Sequence, residues 1–411
     1  MAANVAPLLK AHLAPAALAL AQRLGRTAFE LGIQAYLVGG PVRDLLLGTA
    51  PRELDLAVEG DASALASRLA AAGGAEVLMR SQFLTLKLRV TGIEVDLATA
   101  RRERYASPGA LPQVEAAPIA EDLGRRDFTI NAMAVALSPQ RWGELMDPFG
   151  GQEDLARGLV RALHDRSFQD DATRILRGVR YEQRLGLRLE EGTERLLRRD
   201  VAVLDAISPD RLRHEVERIL QEPSPERVFL RSQEMGVLSA IHRPLRWEPD
   251  LQEAALRLRQ RGEVHPLAYL ALLAHPLTEE EAKGLVARLN APGDWQRAVE
   301  DVGRLRGAIA FLEDPGLRPS EVEALLKEYA PPALEAALAL EPPSKAQQWL
   351  EEYLTRLRYV RPLLTGDDLL SLGVPPGPFM GRILEALHRA RLDGEATSRE
   401  EEVALVRRLV G

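Results

Sequence analysis

The sequence predicts an α/β head built on a small mixed sheet, followed by a long all-helical body, and three observations carry that assignment. Strand-like runs crowd the first third of the chain, at 35–38, 53–58, 83–90, 93–98 and 132–137. After Asp147-Pro148-Phe149-Gly150-Gly151 such runs cease and amphipathic helical spacing continues to the end. The helical stretch is broken at 223–225, 244–249, 315–319 and 341–344, as connections between helices are.

Taken in order, residues 1 to about 33 read as helical, with Leu13, Ala17, Leu20, Leu24 and Phe29 near helical period. The run 35–38 is apolar and enters Gly39-Gly40-Pro41-Val42-Arg43-Asp44. Two glycines let a backbone approach a ligand closely, and Pro41 suits a first helical turn, which together suggest a phosphate cradle. A dinucleotide-binding turn competes with this reading and is disfavoured, because the third glycine of G-x-G-x-x-G is missing and proline sits inside the motif. In 53–58, Leu54, Leu56 and Val58 share the core face while Glu53 and Asp55 project together from the other. Two such carboxylates can hold Mg2+ beside a substrate phosphate.

In 83–90, Leu84, Leu86, Leu88 and Val90 alternate with Thr85, Lys87 and Arg89. In 93–98, Glu94 and Asp96 share one face, and Asp96 joins Glu53 and Asp55 if its strand lies beside theirs in register. Residues 99–122, marked by Ser107-Pro108-Gly109, Pro112 and Pro118, are too long for an ordinary hairpin and read as a functional loop. Arg125-Arg126-Asp127 then precedes a buried run, and such a pair of cations can neutralise a triphosphate. In Asp170-Asp171-Ala172-Thr173-Arg174, continuing to Arg184, residues Arg174, Arg177, Arg180 and Arg184 fall on one helical arc opposite Phe168, Ile175, Leu176 and Val179. No lysine or glutamate is interleaved on that arc, so an anionic ligand accounts for it better than solvation. Near the end, Ser398-Arg399-Glu400-Glu401 forms a capping box before Val403, Val406 and Leu409.

Composition bounds the chemistry. The 411 residues, 46% of them hydrophobic, suffice for more than one core. With no cysteine there is no disulfide, thiolate metal site or cysteine nucleophile, and seven scattered histidines leave little for zinc. No apolar run reaches membrane-spanning length and Met1–Leu20 lacks a signal-type leader, so a cytoplasmic protein with no membrane partner is expected. The net charge of −7 (53 basic against 60 acidic) argues against indiscriminate binding to polyanions, leaving nucleic-acid affinity to local clusters.

The motifs at 36–186, in this order, resemble the class II tRNA nucleotidyltransferases and bacterial poly(A) polymerases of the polymerase β superfamily. A weaker similarity runs through Leu364-Thr365-Gly366-Asp367-Asp368-Leu369, Asp393-Gly394-Glu395 and Arg399-Glu400. The resemblance implies a polymerase β-like nucleotidyltransferase head (1–150), then an elongated all-α neck (151–222), body (223–345) and tail (346–411). It implies that Glu53 and Asp55 bind catalytic Mg2+ with Asp96 as a further catalytic carboxylate. Gly39, Gly40 and Arg43 would contact the nucleotide and Arg126 its triphosphate. Asp171, Arg174, Arg177 and Arg180 would face the incoming CTP or ATP, with Asp171 and Arg174 reading the base edge.

The implied reaction is addition of CCA, or its terminal A, to the tRNA acceptor end, with the helical tail holding tRNA. Relatives that add only CC tend to have a shortened loop before Arg-Arg-Asp, which disfavours that product here. A poly(A) polymerase acting on other RNA and a tRNA-binding protein with lapsed catalysis are the alternatives. The second is prompted by Glu53, which stands where the family usually has aspartate; the longer arm keeps the ligand oxygen but shifts its geometry. Some relatives carry a histidine-aspartate phosphohydrolase domain, but His164-Asp165 has no companion histidines and reads as a helix-cap dipeptide. The oligomeric state has no sequence signal.

Overall fold

The structure, a computed structural model, describes residues 3–51, 53–104 and 113–410. It divides into two compact units, Met1–Glu215 with Glu234–Ala240, and Val216–Gln233 with Ile241–Gly411.

The first unit opens with α1 (Ala6–His12) and α2 (Pro15–Glu30). Pro15 at the first turn of α2 divides the expected helical stretch in two. Leu20, Leu24 and Ala28 are buried, whereas Phe29 remains exposed. At Gly25 an added Cβ would stand 2.0 Å from the Leu137 carbonyl oxygen, so α2 lies directly against backbone there. Next come β1 (Gln34–Val38), α3 (Gly40–Leu46), β2 (Leu54–Glu59), α4 (Ala62–Ala71), β3 (Ala75–Ser81), β4 (Thr85–Val90) and β5 (Ile93–Thr99). After them follow β6 (Arg101–Arg104), β7 (Gln113–Ala116), α5 (Ile119–Gly124), β8 (Ala134–Ala136) and β9 (Leu145–Met146).

Among the described residues the main sheet has seven strands in the order β3-β4-β5-β2-β1-β8-β9. It is mixed, as expected, because β2 and β5 run parallel while the other neighbours are antiparallel. Leu54, Leu56, Val58, Leu88, Val95 and Leu97 bury one face against Leu20 and Leu24 of α2 and Leu65 and Leu69 of α4. Tyr36, Val38 and Ala57 pack on the other face with Ile119 and Leu123 of α5. Asp55 shares that second face by alternation. A one-residue slip of β2 would drive Asp55 into the apolar core and expose three aliphatic side chains, each contributing about 1.5–3 kcal/mol when buried, so the register is firmly set.

Three features depart from the sequence reading. Helix α4 and strand β3 fill a stretch for which no element is predicted; β3 is a sheet edge with most side chains exposed, so it shows no buried alternation. The ends of the expected loop at 99–122 pair as an antiparallel arm, with Arg101 opposite Ala116 and Arg104 opposite Gln113. Residues 105–112, which join the two in sequence, lie outside the described residues. The third departure is a break at Asp171, whose extended backbone separates α7 (Ser167–Asp170) from α8 (Thr173–Leu185) after α6 (Gly151–Ala156). Phe168 on α7 and Ile175, Leu176 and Val179 on α8 are nonetheless all fully buried, as the helical spacing requires. The unit continues through α9 (Glu191–Asp200) into α10 (Pro209–Leu220).

The second unit is helical among its described residues. Pro266–Ala274, buried along nearly its whole length, packs against Gly293–Leu312 and Pro331–Leu340. A separate cluster near the end gathers Leu364, Leu369, Val374, Ile383, Leu387 and Val406. The Ser398 hydroxyl and Glu401 carboxylate accept from each other's backbone amides at 3.2 and 3.0 Å, the expected capping box, and Arg399 pairs with Asp368. No described helix is long and apolar enough to cross a membrane.

Candidate active site

The strand pairing answers the question the sequence leaves open. Asp55 and Asp96 are register partners across β2 and β5. With Glu53, just before β2, they offer carboxylate oxygens all within 4.8 Å of one another. Burial pushes the Asp55 carboxyl up to about 6, helped by the Asp96 and Glu53 carboxylates and opposed by Arg126 and Arg43. Asp96 is raised too, by burial first and by Glu53. Three hard oxygen donors that repel one another are a fit for a divalent metal ion, whose charge would relieve that repulsion. Across the next strand pair, Lys87 lies opposite Asp96 and its ammonium pairs with Glu94 at 3.1 Å.

The glycine turn sits beside this cluster. Gly39 has φ +72°, and an added Cβ would lie 2.7 Å from the Arg126 guanidinium. The first glycine is therefore needed both for its backbone conformation and for the close approach of Arg126. At Gly40 the corresponding nearest atom is 3.5 Å away, ordinary contact, so the second glycine is not sterically required. Arg43, only 3% exposed, donates from Nη1 to Asn131 Oδ1 at 2.7 Å and from Nε and Nη2 to Asp44 Oδ1 at 2.9 and 2.7 Å.

Arg126 and Arg125 are held by one buried carboxylate. Asp122 of α5 accepts from Arg126 Nη2 at 3.0 Å, from Arg125 Nε and Nη2 at 3.0 and 2.8 Å, and from the Arg101 backbone amide at the base of the arm. Burial pushes its carboxyl up, but Arg126 and Arg125 outweigh that and leave it below the usual range. Among the described residues, Arg126 Nε is buried without a hydrogen-bond partner, which leaves this guanidinium with unspent donor capacity.

The arginine row on α8 has partners that its own helix does not supply. Asp127 accepts from Arg177 Nε and Nη2 at 2.9 and 2.6 Å and from Asn131 Nδ2 at 3.0 Å. Burial would raise the Asp127 carboxyl, yet Arg177 and these hydrogen bonds lower it to about 2. Glu215 of α10 stands 3.9 Å from Arg177 and 3.7 Å from Arg180. Arg174 donates to Ser167 Oγ at 2.8 Å and to the Arg125 carbonyl at 2.7 Å. The expectation that the row lacks acidic partners is thus corrected: Asp127 and Glu215 come from distant segments, invisible to helical spacing. Arg184, the fourth member, is exposed at the far end of α8.

Tyr181 ties these groups together. The guanidiniums of Arg43, Arg177 and Arg180 lie 5.3, 5.5 and 5.0 Å from its ring centre, and Phe128 meets it edge-on at 6.0 Å. Asp122, Tyr181, Arg211 and Glu215 are absent from the sequence-derived site. Only Arg211 and Glu215 carry a usable signal, an i,i+4 charged pair on an amphipathic helix. His164 stands in the turn before α7, 3.8 Å from Asp170, rather than capping the helix itself.

A mixed sheet that presents carboxylates from adjacent strands, next to a glycine-led helix and a bank of arginines, defines a nucleotidyltransferase-type head. The chain belongs to the tRNA nucleotidyltransferase and poly(A) polymerase family. Residues 35–161 match the poly A polymerase head domain, and residues 186–247 match the probable RNA and SrmB-binding site of polymerase A. The chain is 35% identical to the A-adding tRNA nucleotidyltransferase of Geobacter sulfurreducens over 99% of its own length and 48% of that protein, so it spans about half of that relative. It is 33% identical to the A-adding tRNA nucleotidyltransferase of Halalkalibacterium halodurans over 95% of this chain and 92% of that one. A solved CCA-adding enzyme in its apo form superposes with a TM-score of 0.81 at 32% identity, covering 99% of both chains.

Proposed function

We propose that this protein transfers CMP or AMP from CTP or ATP to the 3′ hydroxyl of tRNA, releasing pyrophosphate, and so adds CCA or its terminal A. The observation that carries this reading is the convergence of Asp55, Asp96 and Glu53 at one face of the sheet beside Gly39 and Arg126. Mg2+ is the metal assigned to Glu53 and Asp55, with Asp96 beside them, because all three donors are hard oxygens. Bound there, Mg2+ supplies acidification of the attacking hydroxyl and charge neutralisation of the leaving pyrophosphate. Glu53 serves as a ligand through its longer arm.

The chain's own side chains do the rest. Arg126, with unspent donor capacity, and Arg43 hold the triphosphate beside Gly39 and Gly40. Arg177 and Arg180, fixed by Asp127, Glu215 and Tyr181, extend the row of positive charge along α8. Asp171 accepts from the exocyclic amine of cytosine or adenine and Arg174 donates to ring acceptors; uracil and guanine present the wrong pattern. The neck at 151–222 carries base recognition, while the helical body at 223–345 and tail at 346–411 hold the acceptor arm through phosphates and shape. A cytoplasmic location follows from tRNA as acceptor.

The test is labelled ATP and CTP, offered separately and together with Mg2+, to tRNA transcripts ending before CCA or after CC and to an unrelated RNA. Addition that stops at the CCA end of tRNA supports the reading. Long A tracts on either RNA mark a poly(A) polymerase, and no incorporation marks a binding protein.

A further inference from the structure

We propose that Arg211 is a positioning residue for base selection, acting by locking the carboxylate of Asp171 in one orientation. This rests on Asp171 reading the base edge. Asp171 sits at the extended break between α7 and α8. Three donors converge on its Oδ1: the Thr173 amide at 3.0 Å, the Thr173 hydroxyl at 2.7 Å and Arg211 Nη2 at 2.7 Å. None of them reaches Oδ2. Three bonds on one oxygen stop rotation about the Cβ–Cγ bond, so the direction in which Oδ2 can accept is fixed.

Two of those donors are local and would follow Asp171 wherever it moved. Arg211 lies 40 residues further on, on α10, and ties the carboxylate to a separate element. One turn along the same helix, Glu215 stands opposite Arg177 and Arg180. A single helix therefore steadies both the carboxylate and the cationic row of α8, with opposite charges spaced i,i+4.

The competing account is purely structural: Asp171 caps α8 through the Thr173 amide and Arg211 only balances its charge. Losing such a contact lowers stability without altering which nucleotide is chosen. Discrimination separates the two, because a site that hydrogen-bonds a particular edge rejects the wrong partner only while its acceptor is held in place.

The experiment compares Arg211→Met, Arg211→Gln, Arg211→Lys and Asp171→Asn in the full chain. It measures kcat/KM for UTP and GTP relative to CTP and ATP, together with Tm. Arg211→Met and Arg211→Gln are expected to raise the relative use of UTP and GTP by about tenfold, with Arg211→Lys restoring part of the loss; if one neutral variant does not fold, the other decides. Unchanged discrimination in the neutral variants beside its loss in Asp171→Asn overturns the role of Arg211 and leaves base reading by Asp171 standing. Unchanged discrimination in Asp171→Asn overturns both.

Discussion

Asp55 and Asp96 are register partners in the one parallel ladder found among the described residues of the main sheet. That pairing, rather than either strand alone, creates the acidic centre: parallel neighbours in register present partner side chains on the same face. With metal bound, Asp55→Ala is expected to lower nucleotide incorporation by at least about a hundredfold, since it removes a ligand and little packing. Unchanged circular dichroism would verify the fold. Incorporation within about tenfold of the original protein would refute the metal assignment.

In metal-free protein the same carboxylate costs stability. Its folded pKa of about 6 lies above the ordinary 3.8. The folded state therefore binds more protons than the unfolded one between these values, and stability falls as pH rises from about 4 to about 6. Asp55→Asn should raise Tm at pH 8 in chelator and leave it unchanged at pH 3.5. Adding Mg2+ should raise Tm of the original protein and not of the variant. Equal Mg2+ shifts in both would show that the ion binds elsewhere.

Asp127 behaves oppositely. Lowered to about 2 in the fold, it contributes stability that is fully present above its unfolded value and is lost as pH falls through about 2. Asp127→Asn should cost on the order of 2–3 kcal/mol at pH 7, because it also takes from the Arg177 guanidinium its nearest carboxylate, and the difference should shrink toward pH 2. Urea denaturation at pH 7 and pH 3 measures it.

The two glycines should separate. Gly39→Ala forces a left-handed φ on alanine and pushes the Arg126 guanidinium aside, so it should lose about 1–2 kcal/mol of stability and raise KM for the nucleotide severalfold. Gly40→Ala, whose added Cβ meets no protein atom closer than 3.5 Å, should leave stability unchanged. Equal losses of stability would remove the special place of Gly39.

Shortening the arm by deleting Ser107 to Pro112 should reduce A addition more than C addition, if the arm helps the site to change base preference. Residues 107–112 lie outside the described residues, but the base of the arm is fixed to the site, because the Arg101 amide donates to the same Asp122 that holds Arg126. Equal loss of both products would indicate general damage to the head.

Much of this was legible in the chain, and what was hidden shares one physical cause. Alternation placed Asp55 opposite Leu54 and Leu56, and Asp96 opposite Val95 and Leu97, because period-two burial is local information. Whether β5 lies beside β2 depends on pairing that no local pattern encodes. The arginine row is visible as an arc, but Glu215 reaches it, and Arg211 reaches Asp171, from 30 or more residues downstream, so their roles emerge only with the fold. The segment reads as a loop in the sequence because prolines and glycine mark its middle, while the four-residue ladders at its ends are short and mostly exposed.

The most direct test joins metal and chemistry in one assay: incorporation of labelled AMP into tRNA ending in CC, with and without Mg2+, by the original protein and by Asp55→Ala. The expected result is addition of one AMP by the original protein with Mg2+ and essentially none in the other three reactions. Undiminished addition by Asp55→Ala, or none by the original protein with Mg2+ present, would contradict it.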